Sequence, residues 1–176
     1  MDVVIRDETH ADVPGIHALH AAAFETELEA RLGDALRAHG RLTLSLVAVD
    51  GGTVVGHIAF SPVSVIGPEG RVARGVGLGP MAVSPARQRS GIGGQLVASA
   101  LPRLQAAGHS FCVVLGHKEY YPRFGFLPAS RFGLRFEGEV PEELFFVLEL
   151  APAGLAGVSG VVRYAPEFAD VDVERL

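Results

Sequence analysis

Glycine placement constrains this chain more than any other feature. Of its 22 glycines, Gly75, Gly77 and Gly79 interrupt an apolar segment from Val72 to Val83, and Gly91, Gly93 and Gly94 follow shortly after. Glycine at that density marks tight turns and places where backbone must closely approach something. The order is strand, then Gln88-Arg89-Ser90-Gly91-Ile92-Gly93-Gly94, then a helix with Leu96, Val97, Ala100, Leu101 and Leu104 on its inner side. Such a loop turns its N–H groups inward as a nest, and the helix N-terminus adds partial positive charge. Together they form an anion site suited to a pyrophosphate. The P-loop Lys-Ser/Thr pair is absent, and no G-x-G-x-x-G follows the first strand, so this is neither of those fingerprints. The alternative is a turn that only lets strand and helix pack closely.

Pro80 adds a second constraint. It falls mid-strand, where a missing N–H would break a sheet ladder, so it suits a strand that parts from its neighbour there. A sheet that splays at Pro80 exposes the backbone of Met81, Ala82 and Val83 in the gap. A ligand with amide groups can then pair with it as an added strand does. An edge strand with Pro on its free side is the competing reading.

The remaining pattern fills in the architecture. Val3 to Ile5 reads as a strand, and Thr9 with Asp12 as a capping box for a helix carrying Ile16, Leu19 and Ala23 on one face. A second amphipathic helix carries Leu28, Leu32 and Leu36 and stops at Gly40. Leu44–Val49 and Val54–Val65 flank a hairpin turn at Asp50-Gly51-Gly52. Phe111–Leu115 is a continuous apolar run, as in a buried strand. A short helix spans Tyr120–Phe124, and Phe145–Leu150 and Gly157–Val162 read as late strands. Pro102 inside the third helix predicts a kink. The expected fold is one α/β domain over residues 1–165: a mixed, mostly antiparallel sheet, splayed between its central strands, with helices on both faces. Residues 166–176 read as an acidic tail.

Composition excludes several classes. The chain has 176 residues, a net charge of −5 and no Lys/Arg block, so a nucleic-acid footprint is missing. One cysteine and scattered histidines give no metal-ligand spacing. No apolar run reaches the roughly 18 residues of a membrane span. Met1 to Asp7 lacks the basic flank and apolar stretch of a signal peptide. A cytoplasmic location, with no membrane and no nucleic-acid partner, is the expectation. The Gly157–Val162 strand is a candidate for pairing across a homodimer.

Leu78-Gly79-Pro80-Met81-Ala82-Val83-Ser84-Pro85, followed by Gln88-x-x-Gly91-x-Gly93, resembles the central motif of the GNAT superfamily of acyl-CoA-dependent N-acyltransferases. Tyr120-Tyr121-Pro122-Arg123-Phe124-Gly125-Phe126 resembles that superfamily's tyrosine-to-Gly-Phe motif. The likeness is tight from Val76 to Phe126 and architectural before Val65. It implies acetyl transfer from acetyl-CoA to a primary amine, on a small molecule or a peptide. It also implies that backbone N–H groups of Arg89, Ser90, Gly91, Ile92, Gly93 and Gly94, beside Gln88, hold the pyrophosphate. The backbone of Met81 to Val83 pairs with pantetheine, and an N–H there stabilises the oxyanion. Tyr121 falls where many members place the general acid for the thiolate. Many members also carry an Asn several residues before that Tyr; here the connection is the shorter Gly116-His117-Lys118-Glu119. A non-catalytic acyl-CoA sensor or regulatory module is the rival from another class.

The residue chemistry is compatible with transfer. A thiol of pKa about 8.5 and a phenol near 10 can share a proton. Tyr121 also reads as a structural, amphipathic tyrosine. For the base, Glu25, Glu27, Glu29, His57, His117 and water stay open, with the glutamates also readable as a solvated helix face. Arg87 and Arg89 flank the nest and are candidates for CoA phosphates. His17 and His20 read as surface residues, and Cys112 as an inert core residue.

Overall fold

Thr9 and Asp12 begin the first helical segment as expected. The Asp12 carboxylate accepts from the Thr9 N–H (2.7 Å) and from Arg6 (2.7 and 2.9 Å), at the N-terminal end where negative charge is favoured. The structure, a computed structural model, describes residues 2–171. Strand β1 (Val4–Asp7) leads into α1 (Val13–Ala23) and α2 (Leu28–Ala38), then β2 (Leu44–Asp50) and β3 (Thr53–Ile66). Gly51 and Gly52, both at positive φ, make the turn between those strands. β4 (Val72–Val83), α3 (Ile92–Ala106) and β5 (Phe111–Leu115) form the middle of the chain. β6 (Leu127–Pro128), β7 (Leu134–Phe136), β8 (Phe145–Glu149) and β9 (Gly160–Arg163) complete it.

The strands run in the order β1-β2-β3-β4-β5-β8-β6, with β9 beside β3 and β7 beside β9. All pairs are antiparallel except β4 with β5 and β7 with β9. Alternation along β3 sends Ile58 and Phe60 to one face and Val63 and Val65 to the other. The first face packs on α3 through Ile92, Leu96, Val97, Ala100 and Leu104. The second packs on α2 through Leu32 and Leu36. Each such large aliphatic side chain contributes about 1.5–3 kcal/mol when fully buried. The mixed sheet covered on both faces is therefore the observed fold.

The central gap lies where Pro80 predicts it. Ile58 faces Met81 and Phe60 faces Leu78, so Ala59 opposes both Gly79 and Pro80 in a bulge. β4 pairs with β5 over Val76, Gly77 and Leu78, against Cys112, Val113 and Val114. Past the bulge, Met81 to Val83 keep β3 as partner and diverge from β5. Gly75 and Gly77 serve packing: a Cβ would meet the Phe111 ring at 2.3 Å and the Tyr164 ring at 3.0 Å.

Several expectations are corrected. The last strand is Gly160–Arg163, and it lies between β3 and β7 of its own chain, so it offers no free edge for a second copy. β6 and β7, with two and three residues, carry too little pattern to predict. Pro102 lies inside α3 as expected, and the helix continues beyond it to Ala106. In the expected tail, Phe168 is buried and Glu167 meets His39 (2.9 Å) and Arg41 (3.2 Å). Residues 172–176 lie outside the described residues. Among those described, no helix is long and apolar enough to cross a membrane.

Candidate active site

The Gly-rich loop forms a nest at the head of α3. Arg89 (φ 62°) and Gly91 (φ 89°) both take left-handed conformations, and Gly91 caps the helix. The Gln95 N–H reaches the Gly91 carbonyl at 3.0 Å, so the N–H groups of Ile92, Gly93 and Gly94 precede the first intrahelical bond and project from its positive end. Side chains brace the loop. Gln88 Nε2 donates to the Val83 carbonyl at 3.3 Å, and the Ser90 hydroxyl to the Arg87 carbonyl. Arg87 lies along the cleft wall but is already paired with Asp50.

This nest opens into a cleft of about 1020 Å³. Met81, Ala82, Val83, Gln88, Arg89, Gly91, Ile92, Gly93, Gly94 and Tyr121 all line it. Among the residues expected to hold the cofactor or serve as general acid, Ser90 alone does not. The far wall comes from Gly116, His117, Tyr120, Arg123 and Phe124, and the remaining side from Ala23 and Phe24.

The two tyrosines are placed by glycines. A Cβ on Gly116 would lie 2.2 Å from the Tyr121 ring, so only glycine lets that ring lie against the end of β5. Tyr121 is 3% exposed, and burial pushes its phenol above the ordinary 10.0. Tyr120 lines the cleft too. Its hydroxyl stands over Gly93, 2.8 Å from where a Cβ would be, and its ring carries the Arg123 guanidinium at 4.6 Å. The single turn Tyr121–Phe124, stopped by Gly125 at φ 92°, brings both rings to one side.

Of the base candidates, His117 reaches the cleft. Glu25 and Glu27 are exposed in the connection from α1 to α2. Glu29 is buried, with Thr26 Oγ1 at 3.3 Å, which corrects the reading of a solvated face. His57 is 0% exposed, and its Nε2 lies 2.8 Å from Ser45 Oγ. Its Nδ1 lies 2.8 Å from Nε2 of His20. His20, expected at the surface, is 0% exposed. It follows Ile16 by four residues, and that spacing was the available signal for its inward position. Burial pushes the Cys112 thiol well up, consistent with an inert core residue. No cluster of metal-ligating side chains occurs among the described residues.

A family model for the acetyltransferase (GNAT) domain matches residues 4–129. The chain belongs to the GNAT acetyltransferase family. This GNAT chain is 41% identical over 167 residues to an uncharacterized N-acetyltransferase, YhbS, of Escherichia coli K12, covering 94% of this chain and 98% of that one. The crystal structure of YhbS in complex with CoA superposes with a TM-score of 0.91 at 40% identity, covering 97% and 94% of the two chains. A GNAT family acetyltransferase from Brucella melitensis, in complex with acetyl-CoA, gives 0.78 at 38% identity, covering 95% and 98%. The GNAT fold is thus shared with these two structures over 97% and 95% of the chain.

Proposed function

We propose that this chain transfers an acetyl group from acetyl-CoA to a primary amine by direct attack. The observation that carries the reading is one cleft joining the nest of α3, the diverging backbone of Met81 to Val83 and the ring of Tyr121. The residues present fit the donor. N–H groups at 92–94 and the nest at Arg89–Gly91 suit a pyrophosphate, with Gln88 bracing the loop. The β4 backbone past Pro80 suits the amides of a pantetheine arm. The CoA and acetyl-CoA complexes of similar proteins support the same donor. The match at 4–129 and the packing through β9 support a catalytic domain spanning residues 1–165.

Within this reading the chain's own groups divide the work. An N–H between Met81 and Val83 meets the thioester oxygen as it gains charge. Tyr121, held protonated by burial, offers its hydroxyl hydrogen to the departing sulfur. The amine enters past Ala23, Phe24 and His117, away from the nest, and must lose a proton before it attacks.

The test is thiol release from acetyl-CoA by purified protein with a panel of small-molecule and peptide amines. Release that requires one class of amine supports transfer. Tight acetyl-CoA binding with slow, amine-independent hydrolysis would replace it with a sensor.

A further inference from the structure

The cleft passes through the sheet, and its two sides differ in chemistry. Alternation along β4 sends Met81 and Val83 to the α3 side, where they pack with Tyr120 and Phe124 on the core that holds Ile92 and Leu96. Ala82 therefore points to the opposite side, as does its register partner His57, which meets His20 of α1 at 2.8 Å. Ala82, Ala23 and Phe24 thus line the α1 side of the cleft. Its arginines stand with the nest: Arg87 and Arg89 come from the connection between β4 and α3, and Arg123 lies over the Tyr120 ring at 4.6 Å. A donor whose pyrophosphate sits on the nest, and whose arm follows β4, leaves the α1 side to the acceptor.

Phe24 is the large side chain there, and it is fixed from behind. It ends α1 with its N–H on the His20 carbonyl at 3.1 Å. Its ring lies parallel to the His20 imidazole, with centroids 6.0 Å apart and planes 3° apart. His20 is itself fully buried, and it is held through His57, Ser45 and Glu8 to Arg37. A pinned imidazole thus backs one face of the Phe24 ring, leaving the other for the cleft that the half-buried ring lines. Among the described residues, no carboxylate lines the cleft.

We propose that Phe24 sets the choice of acceptor and that the acceptor is an arylalkylamine. Its ring stacks on the open face of Phe24, and its amine reaches the thioester beside Ala82. The proposal rests on the acetyl-transfer reading. Aromatic rings attract one another in offset stacks with centroids about 4.5–7 Å apart, which a rigid, one-sided ring such as Phe24 can offer. An alkylamine of similar reach covers less of the apolar wall and gains no ring pairing. An α-amino acid would bring a carboxylate to a side that no arginine faces, and a diamine a second ammonium to a cleft without a carboxylate. Each of those charges would lose water without finding a partner.

The measurement compares kcat/KM for 2-phenylethylamine, n-butylamine, phenylalanine, 1,4-diaminobutane and a peptide N-terminus, in wild type and in F24L and F24Y. In wild type 2-phenylethylamine should lead n-butylamine by about tenfold, and phenylalanine and the diamine by about 10²-fold. In F24L its lead over n-butylamine should shrink to about threefold or less, through KM rather than kcat, and F24Y should keep it. Acetyl-CoA affinity within twofold of wild type shows that the variant retains its fold. Preference for the amino acid, the diamine or the peptide overturns the proposal and leaves acetyl transfer standing, as does an F24L variant that lowers both monoamines equally. Failure of wild type with every amine counts against acetyl transfer itself. The site is then decided by calorimetric titration of 2-phenylethylamine into the CoA-loaded protein: binding that weakens about tenfold in F24L supports it, and no binding overturns it.

Discussion

Tyr121 sits where it does because position 116 has no side chain, and that dependence decides its chemistry. Pressed against Gly116, the phenol is buried and its pKa is raised mainly by that burial. Burial raises its pKa above the ordinary 10.0, so under the proposed reading it holds a proton that it can donate to a leaving thiolate. Y121F should lower kcat about 10²-fold while leaving acetyl-CoA binding nearly intact, the signature of a contact made in the transition state. Steady-state kinetics beside Y120F checks this, and equal small effects in both variants would make Tyr121 structural. The residue was legible in the sequence because its motif is local. His20 was not, although its spacing from Ile16 was visible, because its partner His57 lies 37 residues away. No local pattern reports that a polar residue on an inward face will find a mate.

At the scale of elements, the nest and the gap are two consequences of backbone geometry. Gly93 has a double duty: its N–H projects from the helix start, and its missing side chain leaves room for the Tyr120 hydroxyl. G93V would push that ring into the cleft and crowd the nest, so CoA affinity should fall at least tenfold, about 1.4 kcal/mol. Calorimetric titration of the folded variant decides it, and unchanged affinity would reduce the glycine to packing. The gap makes a separate forecast. Amides of Met81 to Val83 facing away from β3 should exchange readily in the free protein and become protected with acetyl-CoA. Equal exchange in both states would mean that no ligand pairs there. Pro80 made this divergence readable, since one residue both removes a donor and marks the bulge. The placement of β9 between β3 and β7 was unreadable, because long-range pairing leaves no trace in four residues.

Across the whole molecule, the buried His20 and His57 and the partly buried Glu8 tie stability to pH. Burial, more than any neighbour, holds His20 and His57 below the ordinary 6.5. For Glu8 burial pushes upward, but bonds from Arg37, His57 and Ser45 outweigh it and hold the carboxyl well below 4.5. Each of the three binds its proton more readily in the unfolded chain. The imidazole contribution is therefore complete above about pH 6.5 and lost as pH falls below it, with Glu8 following only at lower pH. Urea midpoints should drop between pH 7 and pH 5, and the drop should shrink in an H20Q/H57Q variant. A flat wild-type profile would contradict this account of the buried pair. The central claim, that one cleft brings a thioester to an amine, meets its most direct test in the fate of the acetyl group. With acetyl-labelled acetyl-CoA and an amine acceptor in a single turnover, the label should appear on the amine nitrogen. Label recovered only as free acetate, at a rate indifferent to the amine, would contradict it.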